Sequence, residues 1–209
     1  MTSSTPQVRR QRSDGARSRR AILEASARLA TTEGLRGLSI GGLADHIGMS
    51  KSGLYAHFGS KEQLQLATID TAAEIFDADV VSPARAAGEA LAQLTALLEG
   101  FLVHVSSGTF PGGCFFAAAA AELDTHPGRV RERIAGFQSA WLTGLADLVG
   151  KAQSAGDLDP TEDPAQLAFE LNALLLHANS SFVMFGDRAV LDRARAGIAT
   201  RLRLAGARS

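Results

Sequence analysis

The chain has 209 residues, enough to bury a core as one domain or two small ones, and its few aromatics and small or unbranched apolar residues favour helices over sheets. It has no run of about 18 uncharged apolar residues, no apolar stretch behind its Arg-rich start and one cysteine, which argues against a spanning helix, a secretory signal and an internal disulfide; a cytoplasmic location is expected. The net charge of −1 hides an asymmetry: up to Lys61 ten basic residues face four acidic ones, so a head at +6 sits on a body at −7, and a polyanionic partner is expected for the head.

Residues 1–15 show no apolar period and are expected to form a disordered basic arm. From Arg17, the residues Ile22, Ala25, Ser26, Leu29 and Ala30 fall at helical spacing, and Gly34 ends that helix. Ser39 caps a short second helix with an inner face of Ile40, Leu43, Ala44 and Ile47. After a tight turn at Gly48-Met49, Ser50 caps a third, in which Leu54 and Phe58 lie one turn apart, and Gly59 ends it. Ser60 with Gln63 predicts a capping box for a long fourth helix reaching about Val80. Ser82-Pro83 is expected to break the chain and open a fifth helix, which runs to about Ser106.

A turn at Pro111-Gly112-Gly113 precedes a short Ala-rich sixth helix from Cys114 to about Leu123. His126-Pro127-Gly128 introduces a long amphipathic seventh that stops before Gly156. Asp163-Pro164 opens an eighth reaching Phe185, and a ninth ends near Leu204. No segment alternates like a strand, so the expected fold class is all-α with about nine helices.

The two short capped helices around Gly48-Met49-Ser50, braced by the helix before them, predict a helix-turn-helix. Burying Leu54 and Phe58 turns Lys51, Ser52, Gly53, Tyr55, Ala56 and His57 outward. This surface is small, polar and cationic at its start, suited to entering a major groove. Free backbone N–H groups at Ser60-Lys61, with the Lys61 ammonium, predict a phosphate clamp.

The stretch from Ser39 to Leu64 resembles the DNA-binding signature of the tetracycline-repressor (TetR) family, most specifically in Leu54-Tyr55-Ala56-His57-Phe58-Gly59-Ser60-Lys61-Glu62-Gln63-Leu64. The resemblance covers about residues 17–65; beyond them it rests on the number of helices. Gly41-Gly42 departs mildly from the pattern, standing where better helix formers are common. By resemblance, Tyr55 and Lys61 would bind phosphates, His57 would lie near the backbone, and Ser39 would cap the second helix and touch the same strand. Lys51, Ser52, Gly53 and Ala56, behind the cap Ser50, would take base-reading positions, where Gly and Ala suit a thymine methyl or close backbone approach. The arm from Arg9 to Arg20 would follow the minor groove or phosphates, or simply solubilise.

The resemblance also implies three parts: the arm (1–15), a helix-turn-helix domain (16–62) and a ligand-binding and dimerisation domain (63–209). Its last two helices would meet those of a second subunit through Leu167, Leu171, Leu174, Leu175, Leu191, Ala194, Ile198 and Leu202. A cavity for a small, mostly apolar effector would be lined by Phe101, His104, Phe110, Cys114, Phe115, Phe116, Trp141, His177 and Phe182. Cys114 begins a helix, where the dipole lowers a thiol pKa, or else packs as a small hydrophobe. No Gly-rich phosphate loop, metal-spaced cluster or nucleophile elbow is present, so no catalytic residue, metal ligand or cofactor is assigned. The expected protein is not an enzyme but a homodimeric, ligand-responsive repressor of a palindromic double-stranded DNA operator, without a membrane partner. The alternative within DNA binding is an adaptor whose body recognises another protein through an exposed apolar patch.

Overall fold

The computed structural model describes residues 6–207, with side chains from Gly15 onward. Its order is α1 (Pro6–Glu33), α2 (Ile40–Ile47), α3 (Lys51–Phe58), α4 (Lys61–Phe76), α5 (Ala90–Ser106), α6 (Phe115–Leu123), α7 (Arg129–Ala155), α8 (Pro164–Phe185) and α9 (Ala189–Leu204). Among the described residues there is no strand, and the fold is all-α as expected. The caps sit where the polar spacing put them. Ser39, Ser50 and Ser60 accept from the N–H of Gly42, Gly53 and Gln63, and Asp163 accepts from Ala165. Gly48 closes α2 in the left-handed region at φ 69°, a conformation that a side chain disfavours.

Two boundaries differ from expectation. The first helix begins at Pro6 instead of Arg17, so part of the expected arm is helical and residues 1–5 lie outside the described residues. Ser82-Pro83 does not interrupt the chain: α4 continues through a π turn (Asp77–Val81) into one more α turn (Ser82–Arg85). The Ser82 N–H reaches back to the Asp77 carbonyl, and Pro83, which has no N–H to place, falls in the first turn of the new segment. The break comes later, and α5 starts at Ala90.

The head is α1 to α3 closed by the first turns of α4. Ile22, Ala27, Ile40, Leu43, Ala44, Leu54 and Leu64 are buried in it, and Ser26 and Thr68 share a buried hydroxyl hydrogen bond of 2.7 Å between α1 and α4. The body packs α5, α7 and α8 on one another, with α9 on α8 and α6 between α1 and α7. Arg201 of α9 holds Glu162 and Glu170, and Arg195 holds Glu99 of α5 in a bidentate pair, fastening the last helix down.

The α8–α9 pairing bears on the residues expected at a subunit interface. Leu167, Leu171, Leu175, Leu191, Ala194, Ile198 and Leu202 are buried within the single chain, and Leu174 packs across α9 at Gly197. Seven of the eight fill this protomer's own core, and Leu174 is half-buried beside them. A helix apolar nearly all round conceals which stripe its own chain covers. The stripe left uncovered on α8 contains Phe169, Ala173, His177 and Met184.

Candidate nucleic-acid interface and effector cavity

The geometry of α2 and α3 follows from their apolar contacts. Leu43, Ala44 and Leu54 are fully buried, Phe58 nearly so, and the Arg19 guanidinium of α1 lies 5.3 Å over the Phe58 ring. With that face fixed, Lys51, Ser52, Tyr55, Ala56 and His57 are all exposed on the opposite side of α3. Lys51 is paired with Asp45 at 3.4 Å, an exposed ion pair that a phosphate can replace at little cost. Gly53 is half-buried and belongs to the cap: its N–H donates to Ser50 Oγ at 3.1 Å, and a Cβ there would come within 3.0 Å of that oxygen. Lys61, at the start of α4, donates from Nζ to the Arg36 carbonyl at 2.5 Å and keeps two further donors for solvent or an anion.

Head and body are tied by backbone groups. Glu122 of α6 accepts from the N–H of Leu35 at 2.7 Å and of Arg36 at 2.9 Å, and Gln65 donates to the Leu35 carbonyl. Farther along α1, Arg28 donates to the carbonyls of Gly108 and Thr109, and Thr31 Oγ1 accepts from the Gly112 N–H. Gly112 lies so close to α1 that a Cβ would fall 1.9 Å from the Thr31 carbonyl oxygen.

A cavity of about 520 Å³, a size typical of small-molecule sites, lies between the end of α4, the π turn, α5 and α7. Phe76, Leu97, Phe137, Trp141, Leu145 and Leu148 supply its apolar walls, with Asp77, Arg85, Asp147 and Lys151 also among its lining residues. Phe76 is the hub, meeting Phe101, His104, Phe116, Phe137 and Trp141 edge-on. The Trp141 indole N–H donates to Asn172 at 3.0 Å, which orients the ring.

Of the nine residues expected to line an effector cavity, Trp141 lines this one. Phe101, Cys114 and Phe116 border a much smaller void on another side of Phe76. Phe110 and Phe115 pack in the core behind, Phe182 is half-buried, and His177 is exposed on α8. His104 is buried among rings, with Nδ1 bonded to Asp79 at 3.0 Å and Nε2 without a partner among the described residues; burial lowers its pKa against the opposing pull of Asp79. Cys114 is the N-cap of α6, yet burial dominates and raises its thiol pKa to about 11, so the packing role prevails over an activated thiolate. The periodicity of α7 held the missed signal: Ile134, Phe137, Trp141, Leu145 and Leu148 follow at three- and four-residue steps.

Residues 22–68 match the family of bacterial regulatory proteins of tetR type, and residues 90–198 match the tetracyclin repressor-like C-terminal domain. The chain belongs to the TetR family of transcriptional regulators, with a helix-turn-helix DNA-binding head and a helical body. A TetR transcriptional regulator from Chloroflexus aurantiacus is similar at 26% identity over 91% of this chain and 96% of its own, with a TM-score of 0.83. AibR, solved with isovaleryl coenzyme A and operator DNA, is 26% identical over 87% of this chain and 96% of its own, with a TM-score of 0.71. A TetR-family regulator from Cytophaga hutchinsonii shares the fold at 21% identity, covering 92% of this chain and 96% of its own, with a TM-score of 0.77. No curated protein matches the chain significantly.

Proposed function

We propose that this regulator is a homodimeric repressor that leaves a palindromic operator when a small, mostly apolar effector fills the cavity walled by Phe76, Phe137 and Trp141. One observation carries the reading: a single helical run has Lys61 at the head end and Phe76, Asp77, Val81 and Ala84 in the cavity wall at the other. A ligand that displaces that wall tilts the run and with it the position of α3, shifting the population away from the DNA-competent spacing. The relative AibR, crystallised with both a ligand and an operator, supports the pairing of the two sites. Tyr55, Lys61 and His57 take the backbone, and Lys51, Ser52 and Ala56 face the bases, with Ser39, Ser50 and Gly53 shaping the helix starts. The second subunit covers the exposed side of α8, where Phe169 is 61% and Met184 74% accessible.

The test is enrichment of bound duplexes from a random pool, followed by release of the winner with a panel of small apolar compounds. Recovery of a palindrome with half-sites about one helical turn apart, released by at least one compound, is expected. A pool that yields no enriched sequence sinks the operator reading; an enriched operator that no compound releases sinks the effector.

A further inference from the structure

Away from the recognition helix, a second cationic surface lies where the head meets the body. A groove of about 510 Å³ runs between the α1–α2 connection, the start of α4 and the α6–α7 connection. Arg36, Lys61, His126, Arg129 and Arg131 line it, and Glu62 is the one carboxylate residue among its lining. That carboxylate is already engaged by Arg129 at 3.2 Å, while the Arg129 side chain stays 67% exposed. Arg131 is exposed, and among the described residues its hydrogen bond is from Nε to the Asp124 carbonyl at 3.0 Å. Four permanent cations against one carboxylate in the lining create a local excess of positive charge that favours a polyanion, in a chain whose net charge is −1.

The groove is continuous with the phosphate-binding start of α4, because Arg129 grips the residue next to Lys61. Its walls are held in register by Glu122 and Gln65 on the backbone of Leu35 and Arg36. We propose that Arg129 and Arg131, which belong to the body, bind operator phosphates beside the one held at Lys61, so that α7 reaches the DNA directly. This rests on the reading that the head binds an operator. Guanidinium groups suit phosphate because their paired N–H donors match two of its oxygens.

The consequence concerns regulation. The helix that begins at Arg129 goes on to supply Phe137, Trp141, Leu145 and Leu148 to the effector cavity. One rod has its end on the DNA and its middle on the ligand, so a shift of α7 on filling the cavity removes phosphate contacts without any change inside the helix-turn-helix.

The experiment is the salt dependence of operator affinity for the full chain and for Arg129→Gln combined with Arg131→Gln. Each phosphate contact contributes about 0.9 to the log–log slope, so the double variant is expected to lose roughly two units of slope. It should also lose roughly tenfold in affinity per contact near 0.1 M salt, with its preference among sequences unchanged. Arg129→Lys with Arg131→Lys should restore the slope, which a merely structural role would not predict. Arg133→Gln is the control, since that side chain lies outside the groove lining, against Asp70, and it should leave the slope as it was. A double variant with the native slope and affinity overturns the proposal. If the native chain binds its operator and only Lys61→Ala lowers the slope, this inference alone fails. If the native chain enriches no operator, the underlying reading fails as well.

Discussion

In the head, short helices are set by caps within three residues of the groups they satisfy, and burial of Leu54 and Phe58 on one face of α3 leaves Lys51, Ser52, Tyr55, Ala56 and His57 exposed on the other. In the body, long helices meet through aromatic rings from distant parts of the chain, and polar side chains such as His104, Asn172 and Asn179 are buried among them. The head is therefore a local structure that presents a surface, whereas the body is a tertiary structure that encloses a space. A lesion in the first should remove DNA binding and spare the cavity. A lesion where the two meet should damage both.

The largest effect is expected from Leu54→Ala, which empties a fully buried site between α2 and α3 and should cost about 3 kcal/mol in chemical denaturation. Trp141 is the only tryptophan and lies in the cavity wall, so its fluorescence reports the body alone. Operator binding should vanish while the Trp141 spectrum stays native, and a shifted spectrum would show head and body to be one unit. Next comes Gly112→Ala, whose Cβ cannot coexist with the Thr31 carbonyl and must push the loop off α1, at roughly 2 kcal/mol. Here both the Trp141 signal and operator affinity should change together; a loss of only one would break the seam argument.

A smaller effect, about 1 kcal/mol, is expected from Ser50→Ala, which removes the acceptor for the Gly53 N–H at the start of α3. Melting of the head should shift while effector binding is untouched. The smallest concerns pH. His104 is held below its ordinary value of 6.5 in the folded chain, so the unfolded chain takes up the proton first. Its contribution to stability is fully present above about 6.5 and is lost as pH falls from there through the lowered folded value. His104→Phe should flatten the melting temperature between pH 7.5 and 5.5, and an unchanged slope would exclude His104 as its source.

The head was legible because its signals are short in sequence. Ser39, Ser50 and Ser60 each cap a helix that starts at the next residue, by accepting the N–H three residues ahead, and Leu54 with Phe58 decides which side of α3 faces out. The body was legible as helices but not as a site. Phe101, Phe110 and Phe115 have the same apolar character as Phe76 and Phe137, and only the crossing of α4, α5 and α7 leaves space beside the latter pair. Seven of the eight residues expected at a subunit interface pack inside the protomer for a related reason, since α8 has apolar residues on several faces and α9 covers one of them. Ser82-Pro83 has the composition of a break, yet the π turn before it carried the chain through.

By itself, then, the sequence determined an all-α chain, the bounds of most helices and a helix-turn-helix with its outward residues, because capping and helical periodicity act over three or four positions. Tertiary structure decided where the cavity opens, which face of α8 stays bare and that Arg129 stands beside Glu62 and Lys61. Those outcomes depend on the angles at which long helices cross, and the angles come from the packing of side chains far apart in the chain.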